Sequence, residues 1–146
     1  MGKWPCVTVH NLQRKISVNV AELEKFAGHA VQNSLQLHQG QRTDLRKLGE
    51  ISVWLISDRR MALLHRKFLG QSGPTDVLTF QHGEIFISVD TARRHAHAFQ
   101  SSLLRELKLY IAHGLLHLHG FDDKTPSESH KMKAAQENIL RNCCAL

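Results

Sequence analysis

Apolar and polar residues alternate near the start of the chain (Val7-Thr-Val-His-Asn-Leu12), which predicts a first strand over about residues 6–12. From Asn19 the period changes. Val20, Leu23, Phe26, Ala27, Ala30, Val31 and Leu35 recur at three and four, the pattern of an amphipathic helix running to about Leu37. Asn19 is placed to cap it, with Glu22 as the reciprocal partner of a capping box. His38 to Leu48 reads as a polar connector, and Glu50 to Ser57 as a strand rich in β-branched and aromatic residues. Asp58 then suits the N-cap of a short helix, Arg59 to about Phe68, and Gly70-Gln-Ser-Gly-Pro74 reads as a loop. Val77–Phe80 and Glu84–Ser88, separated by His82-Gly83, predict a hairpin. Asp90 suits the cap of a helix through Phe99. Ser101-Ser102 opens the longest helix, Leu103 to about His119, and a last one runs from Ser127 to about Cys143.

The apolar positions of the helix at 103–119 (Leu103, Leu107, Tyr110, Ile111, Leu115, Leu118) spread around much of its circumference, so it is expected to be central and buried. With no repeat and no linker-like break, residues 1–146 are expected to form a single compact α+β domain. That domain would have a small, mixed, four-stranded sheet under packed helices.

This central helix carries the chain's most informative passage, His113-Gly-Leu-Leu-His117-Leu-His-Gly120-Phe-Asp-Asp123. Histidines four apart project from one helix face and can reach one ion. Gly120 can end the helix at positive φ and bring Asp122 or Asp123 round to that ion. Two histidines and one carboxylate with an open position is the donor set of a catalytic rather than a structural zinc site. A chain with 11 histidines also produces such a pair by chance, and it is the glycine and the acid at turn distance that favour a site. His130, opening the next helix, competes for the third position. His119 falls on the far side, as a packing or surface histidine.

Composition adds a partner. Nineteen Lys and Arg against 13 Asp and Glu give a net charge of +6, as in proteins that bind an anionic polymer. Three cysteines, two of them adjacent, do not make a disulfide framework and suit a reducing compartment. The first residues lack the apolar stretch of a secretory signal, and no run approaches the roughly 18 apolar residues of a membrane span. A cytoplasmic protein without membrane contact is expected.

Taken together, His-Gly-Leu-Leu-His-Leu-His-Gly-Phe-Asp-Asp closely resembles the signature of the YbeY family of bacterial rRNA maturation endoribonucleases, His-Gly-x-Leu-His-Leu-x-Gly-Tyr-Asp-His. Pro74-Thr-Asp-Val-Leu-Thr-Phe80 is similar to that family's Pro-Thr-Asp-Val-Leu-Ser-Phe, and Glu84-Ile-Phe-Ile-Ser88 to its Gly-Asp-Ile-x-Ile-Ser strand. Glu106, seven residues before His113, also matches, and the likeness runs from about Glu50 to Glu137. The resemblance implies one zinc ion per chain, held by three side chains. It also implies hydrolysis of single-stranded RNA near the 3′ end of small-subunit (16S) rRNA, and a part in ribosome quality control on the small subunit. His113 and His117 match the first two ligands. The third ligand of the family is a histidine, where this chain has Asp123, so a bound ion would be less positive overall. Many members carry an arginine where this chain has Leu69. Arg66, one turn earlier, is the candidate replacement for stabilising charge in the cleft, with Arg59 and Arg60 as alternatives.

Asp122 is a candidate base or partner of the site, or else a turn-stabilising acid. Glu106 is a candidate to orient another group or to pair with a lysine, while Thr75 and Asp76 are expected to steady the loop entering the strand. Zinc proteases with His-Glu-x-x-His carry a general-base glutamate beside the first ligand, and that position here is Gly114. Phosphodiester cleavage needs an activated oxygen nucleophile and cations instead, which a basic protein supplies better. A metal hydrolase of another substrate and a non-catalytic, zinc-containing ribosome-associated factor are the competing classes.

Overall fold

A computed structural model describes residues 4–37, 45–69 and 76–144. Four strands, β1 (Cys6–Asn11), β2 (Glu50–Ile56), β3 (Val77–Phe80) and β4 (Glu84–Ser88), form one sheet in the order β1-β2-β4-β3. β1, β2 and β4 run parallel, and β3 is antiparallel to β4, so the sheet is mixed as expected. The hairpin turns at Gly83, whose φ of +110° is open only to glycine at low cost. A Cβ there would stand 2.8 Å from the Glu50 carbonyl oxygen.

Among the described residues the α-helices are α1 (Val20–Leu35), α2 (Asp58–Leu69), α3 (Val89–Ala98), α4 (Leu103–Leu118) and α5 (Pro126–Cys144), with a short 3-10 helix at Leu45–Lys47, and they complete the α+β domain. Strand alternation divides the sheet between two layers. Val9, Ile51, Val53, Leu55, Ile85 and Ile87 join α1, α4 and α5 in the main core. The intervening residues Trp54, Ile56, Leu78, Phe80 and Phe86 face α2, with Met61 and Leu64. α4 touches α1, α3, α5, β3 and β4, which makes it the central helix anticipated from its broad apolar surface.

Several caps differ in detail from the expectation. Asn19 does cap α1, accepting the Glu22 amide hydrogen at 3.1 Å, but the Glu22 carboxylate turns to Lys108 (2.8 Å) instead of closing a capping box. The acids at 58 and 90 are inside their helices. Ser57 caps α2 by accepting from the Arg60 amide, and Ser88 caps α3 by accepting from the Thr91 amide. Each acid serves the other helix: Asp90 accepts from the Asp58 amide at 2.8 Å, and Asp58 accepts from the hydroxyls of Ser88 and Thr91. At α5 the cap is Thr125, in a reciprocal box with Glu128 (3.1 Å each way), and Pro126 takes the first helical position.

Candidate metal centre

The C-terminal end of α4 builds the site. Gly120 takes φ +102°, the Phe121 amide donates back to the Leu116 carbonyl at 2.9 Å, and the Gly120 amide donates to that of His117 at 3.1 Å. These two bonds form a Schellman motif, which satisfies the last carbonyls of α4 and reverses the chain. Phe121 and His119 anchor the reversal: both are buried, their rings stack, and His119 Nε2 lies 2.7 Å from the Leu37 carbonyl. His119 is thus a packing histidine, not a surface one.

The reversal delivers Asp123 to the histidine pair. His113 Nε2 and His117 Nε2 are 3.0 Å apart, Asp123 Oδ2 is 3.5 Å from the first, and Asp123 Oδ1 is 3.8 Å from the second. All three donors fall within 4.8 Å of one another. Two donors held about 2.0–2.1 Å from a tetrahedral zinc ion lie about 3.3 Å apart, so the observed separations bracket what one ion requires.

Hydrogen bonding also suits the site. His113 Nδ1 lies 2.6 Å from Gln136 Oε1 on α5, a contact that favours the tautomer with the proton on Nδ1 and Nε2 turned to the shared centre. His117 is held below its ordinary pKa, chiefly by burial and then by the neighbouring His113; these outweigh the opposing carboxylates of Asp123 and Asp122 and a backbone hydrogen bond at Phe121. A neutral imidazole is the ligating form.

A cleft of about 180 Å³ opens beside His113 and Asp123. It takes Asp76 from just before β3, Tyr110 from α4, and Lys133 and Gln136 from α5. Asp76 accepts the Val77 amide hydrogen at 2.8 Å, as expected of a residue steadying the strand entry, and it also lines the cleft. Tyr110 shares a hydrogen bond with His95 Nδ1. Its phenol is pushed well above the usual range by burial first, and then by the negative charges of Asp76 and Glu106. Glu106 is itself buried, and the lysine nearest in sequence, Lys108, pairs with Glu22.

The remaining candidates separate clearly. Asp122 Oδ1 accepts the Asp123 amide hydrogen at 2.8 Å, the turn-stabilising role. His130 is exposed and does not join the donor cluster among the described residues. Arg59 and Arg66 are exposed on α2 and line no part of this cleft; Arg66 lines a separate groove with Arg60 and Lys67. Among the described residues lining this cleft the cation is Lys133. Thr75 lies outside the described residues. Tyr110, Gln136 and Lys133 were not anticipated. Tyr110 had a signal, since it precedes His113 by three residues and so shares its face, whereas Gln136 and Lys133 depend on how α5 packs on α4.

Gly114, between the two histidines, faces the sheet. A Cβ there would lie 2.8 Å from both Cδ1 and Cγ2 of the fully buried Ile85. α4 rests on β4 at this contact, and the position cannot take a glutamate.

A family profile described as Endoribonuclease YbeY matches residues 8–143. Curated relatives of the same description include one from Thermus thermophilus, 39% identical over 102 residues (62% of this chain, 73% of the relative). Others are from Phocaeicola vulgatus, 37% over 102 residues (65% and 74%), and Anaeromyxobacter, 37% over 103 residues (64% and 54%). The aligned stretch thus spans about half of the Anaeromyxobacter relative's length. The solution structure of TM1509 from Thermotoga maritima shares the fold, with a TM-score of 0.61 at 24% identity, covering 93% of this chain and 90% of that one.

Proposed function

Because the chain belongs to the YbeY endoribonuclease family, we propose that it is a zinc-dependent endoribonuclease specific for single strands, acting in the cytoplasm on the 3′ end of small-subunit rRNA and in ribosome quality control. The observation that carries the metal part is the meeting of His113 Nε2, His117 Nε2 and an Asp123 carboxylate oxygen at separations suited to one ion. Zinc held by His113, His117 and Asp123 would supply Lewis-acid polarisation of a phosphoryl oxygen and would activate a water.

The chain's own residues do the rest. Gln136 fixes the tautomer and ring orientation of His113, and Asp122 fixes the backbone that presents Asp123. Lys133 is placed to neutralise non-bridging phosphate oxygens, the part sought from an arginine. Ile85 closes the peptidase route by occupying the space of a general base at position 114.

The test is cleavage of a labelled single-stranded RNA by purified protein, after chelation and after zinc is returned. Activity should vanish and recover. Asp123→Ala should abolish metal binding, whereas Asp123→His keeps it and His130→Ala is silent. RNA cleavage unaffected by exhaustive chelation removes the metal from the mechanism. Zinc binding without cleavage of any single-stranded RNA favours the non-catalytic ribosome factor.

A further inference from the structure

On the sheet face away from the metal, a groove of about 520 Å³ runs between α2 and the strands. Leu12, Leu63 and Phe86 are among its apolar walls, and Arg60, Arg66 and Lys67 supply its charge. None of these three cations is paired with a carboxylate among the described residues, and no acid lines the groove. The one acid of α2, Asp58, is taken up by Arg94, Ser88 and Thr91.

Apolar side chains gather here as well. Leu12, Leu63 and Phe68 are respectively 43%, 52% and 55% exposed. Behind them an aromatic row crosses the sheet, from His10 to Trp54 to Phe86 to Phe80 and on to Phe68. It is held in place in part by the Trp54 indole donating to Glu84 Oε2 at 3.1 Å. A floor so supported is preformed.

We propose that this groove is a second RNA-binding site, which takes one or two unpaired bases against Leu63 and Phe86 and their phosphates on Arg60, Arg66 and Lys67. Charge complementarity selects a polyanion, and the apolar wall selects one whose bases are uncovered, which a duplex does not offer. An apolar wall beside unpaired cations lets one strand satisfy both needs at once. β3 is the edge of the sheet: Leu78 and Phe80 belong to the groove's layer, and Val77 lines the metal cleft. The groove and the cleft therefore flank the same edge strand. The inference rests on the RNA reading of the metal cleft and extends it to the nucleotides flanking the scissile bond.

The experiment is fluorescence anisotropy of a labelled twelve-nucleotide single-stranded RNA on the full chain, with metal removed so that the probe stays intact. The double variant Arg66→Glu/Lys67→Glu should bind at least tenfold more weakly. Its dependence of log affinity on log salt should be shallower by about 1.4, at about 0.7 for each of two phosphates no longer neutralised. Leu63→Ser, an exposed change that spares the charges, should weaken binding severalfold without altering the salt slope. Both variants should keep the unfolding midpoint and zinc content of the parent. Variants that bind RNA within twofold of the parent overturn the proposal, and that is also the result if the groove receives an acidic protein segment. A parent chain that binds no RNA, with metal removed or with zinc returned, fails the reading of the cleft itself, whereas a parent that binds, and cleaves once zinc is returned, beside unaffected groove variants fails this inference alone.

Discussion

The two faces of the sheet are made by the same strands yet end in different states. On one, Ile51, Val53, Leu55, Ile85 and Ile87 are sealed beneath α1 and α4. On the other, Trp54, Phe80 and Phe86 pack with α2, and Leu63 and Phe68 remain half exposed. Composition and cover both differ: the open face also carries Thr8, His10, Ser52 and Glu84, and it packs with α2 where the sealed face packs with α1, α4 and α5. The sealed face holds α4 so firmly that two imidazoles share one centre. The open face keeps apolar surface and unpaired charge available for a partner. Precision and availability have been given opposite sides of one sheet.

The comparison breaks first if the sealed face proves soft. Ile111→Ala, on α4 within the core, should cost about 2–5 kcal/mol in equilibrium urea unfolding, the range for deleting a buried aliphatic side chain. Gly114→Ala comes next. It gains about 1 kcal/mol of helix propensity but drives a methyl group into Ile85 at a cost of about 1–3 kcal/mol, for a net loss of up to about 2 kcal/mol. Adding Ile85→Val should recover part of that loss, and a stabilised Gly114→Ala would show that α4 does not press on β4.

Gln136→Leu tests whether packing on this side tunes the metal. Zinc affinity, measured by competition with a chromogenic chelator, should fall roughly 10–100-fold with the fold intact.

Asp58 joins the two layers through Arg94, Ser88 and Thr91. Burial raises its pKa, but the hydrogen bonds from these three outweigh burial and leave the carboxyl below its ordinary value. A depressed folded-state pKa contributes stability that is present above the unfolded value, near 3.9, and is lost as pH falls through the folded one. The parent should therefore lose stability below about pH 4 more steeply than Asp58→Asn. At neutral pH the variant should cost only about 1 kcal/mol, because the Arg94 partner is largely solvated. The smallest effect belongs to the open face: Leu63→Ala should stay within about 0.5 kcal/mol of the parent. A cost equal to that of Ile111→Ala would erase the distinction between faces.

Period and punctuation made most of the architecture legible. The alternation at Val7 and Val9, the three-four rhythm from Val20, and Gly83 and Gly120 at their turns all mark elements that the structure contains. Caps were harder, because an acid beside a helix start can serve any N-terminus within reach. Asp58 and Asp90 exchange partners across 32 residues, and sequence spacing holds no record of that. The donor triad was legible because all three members lie within 11 residues on a helix and its turn. Gln136 and Lys133 were not, since their approach depends on the packing of α5 against α4. The arginines were candidates because Arg66 lies one helical turn before Leu69, where many members of the family carry an arginine, and position along a helix does not fix which groove a side chain lines.

The contact between Gly114 and Ile85 has an evolutionary consequence. A single substitution at position 114 would spell out His-Glu-x-x-His, the ligand-and-base motif of another hydrolase class. The new side chain would enter the packed core instead of the solvent, so the variant would lose its fold before gaining a new chemistry. Drift toward peptide hydrolysis is thereby blocked by the neighbouring strand, and opening that path would first require a smaller residue at 85.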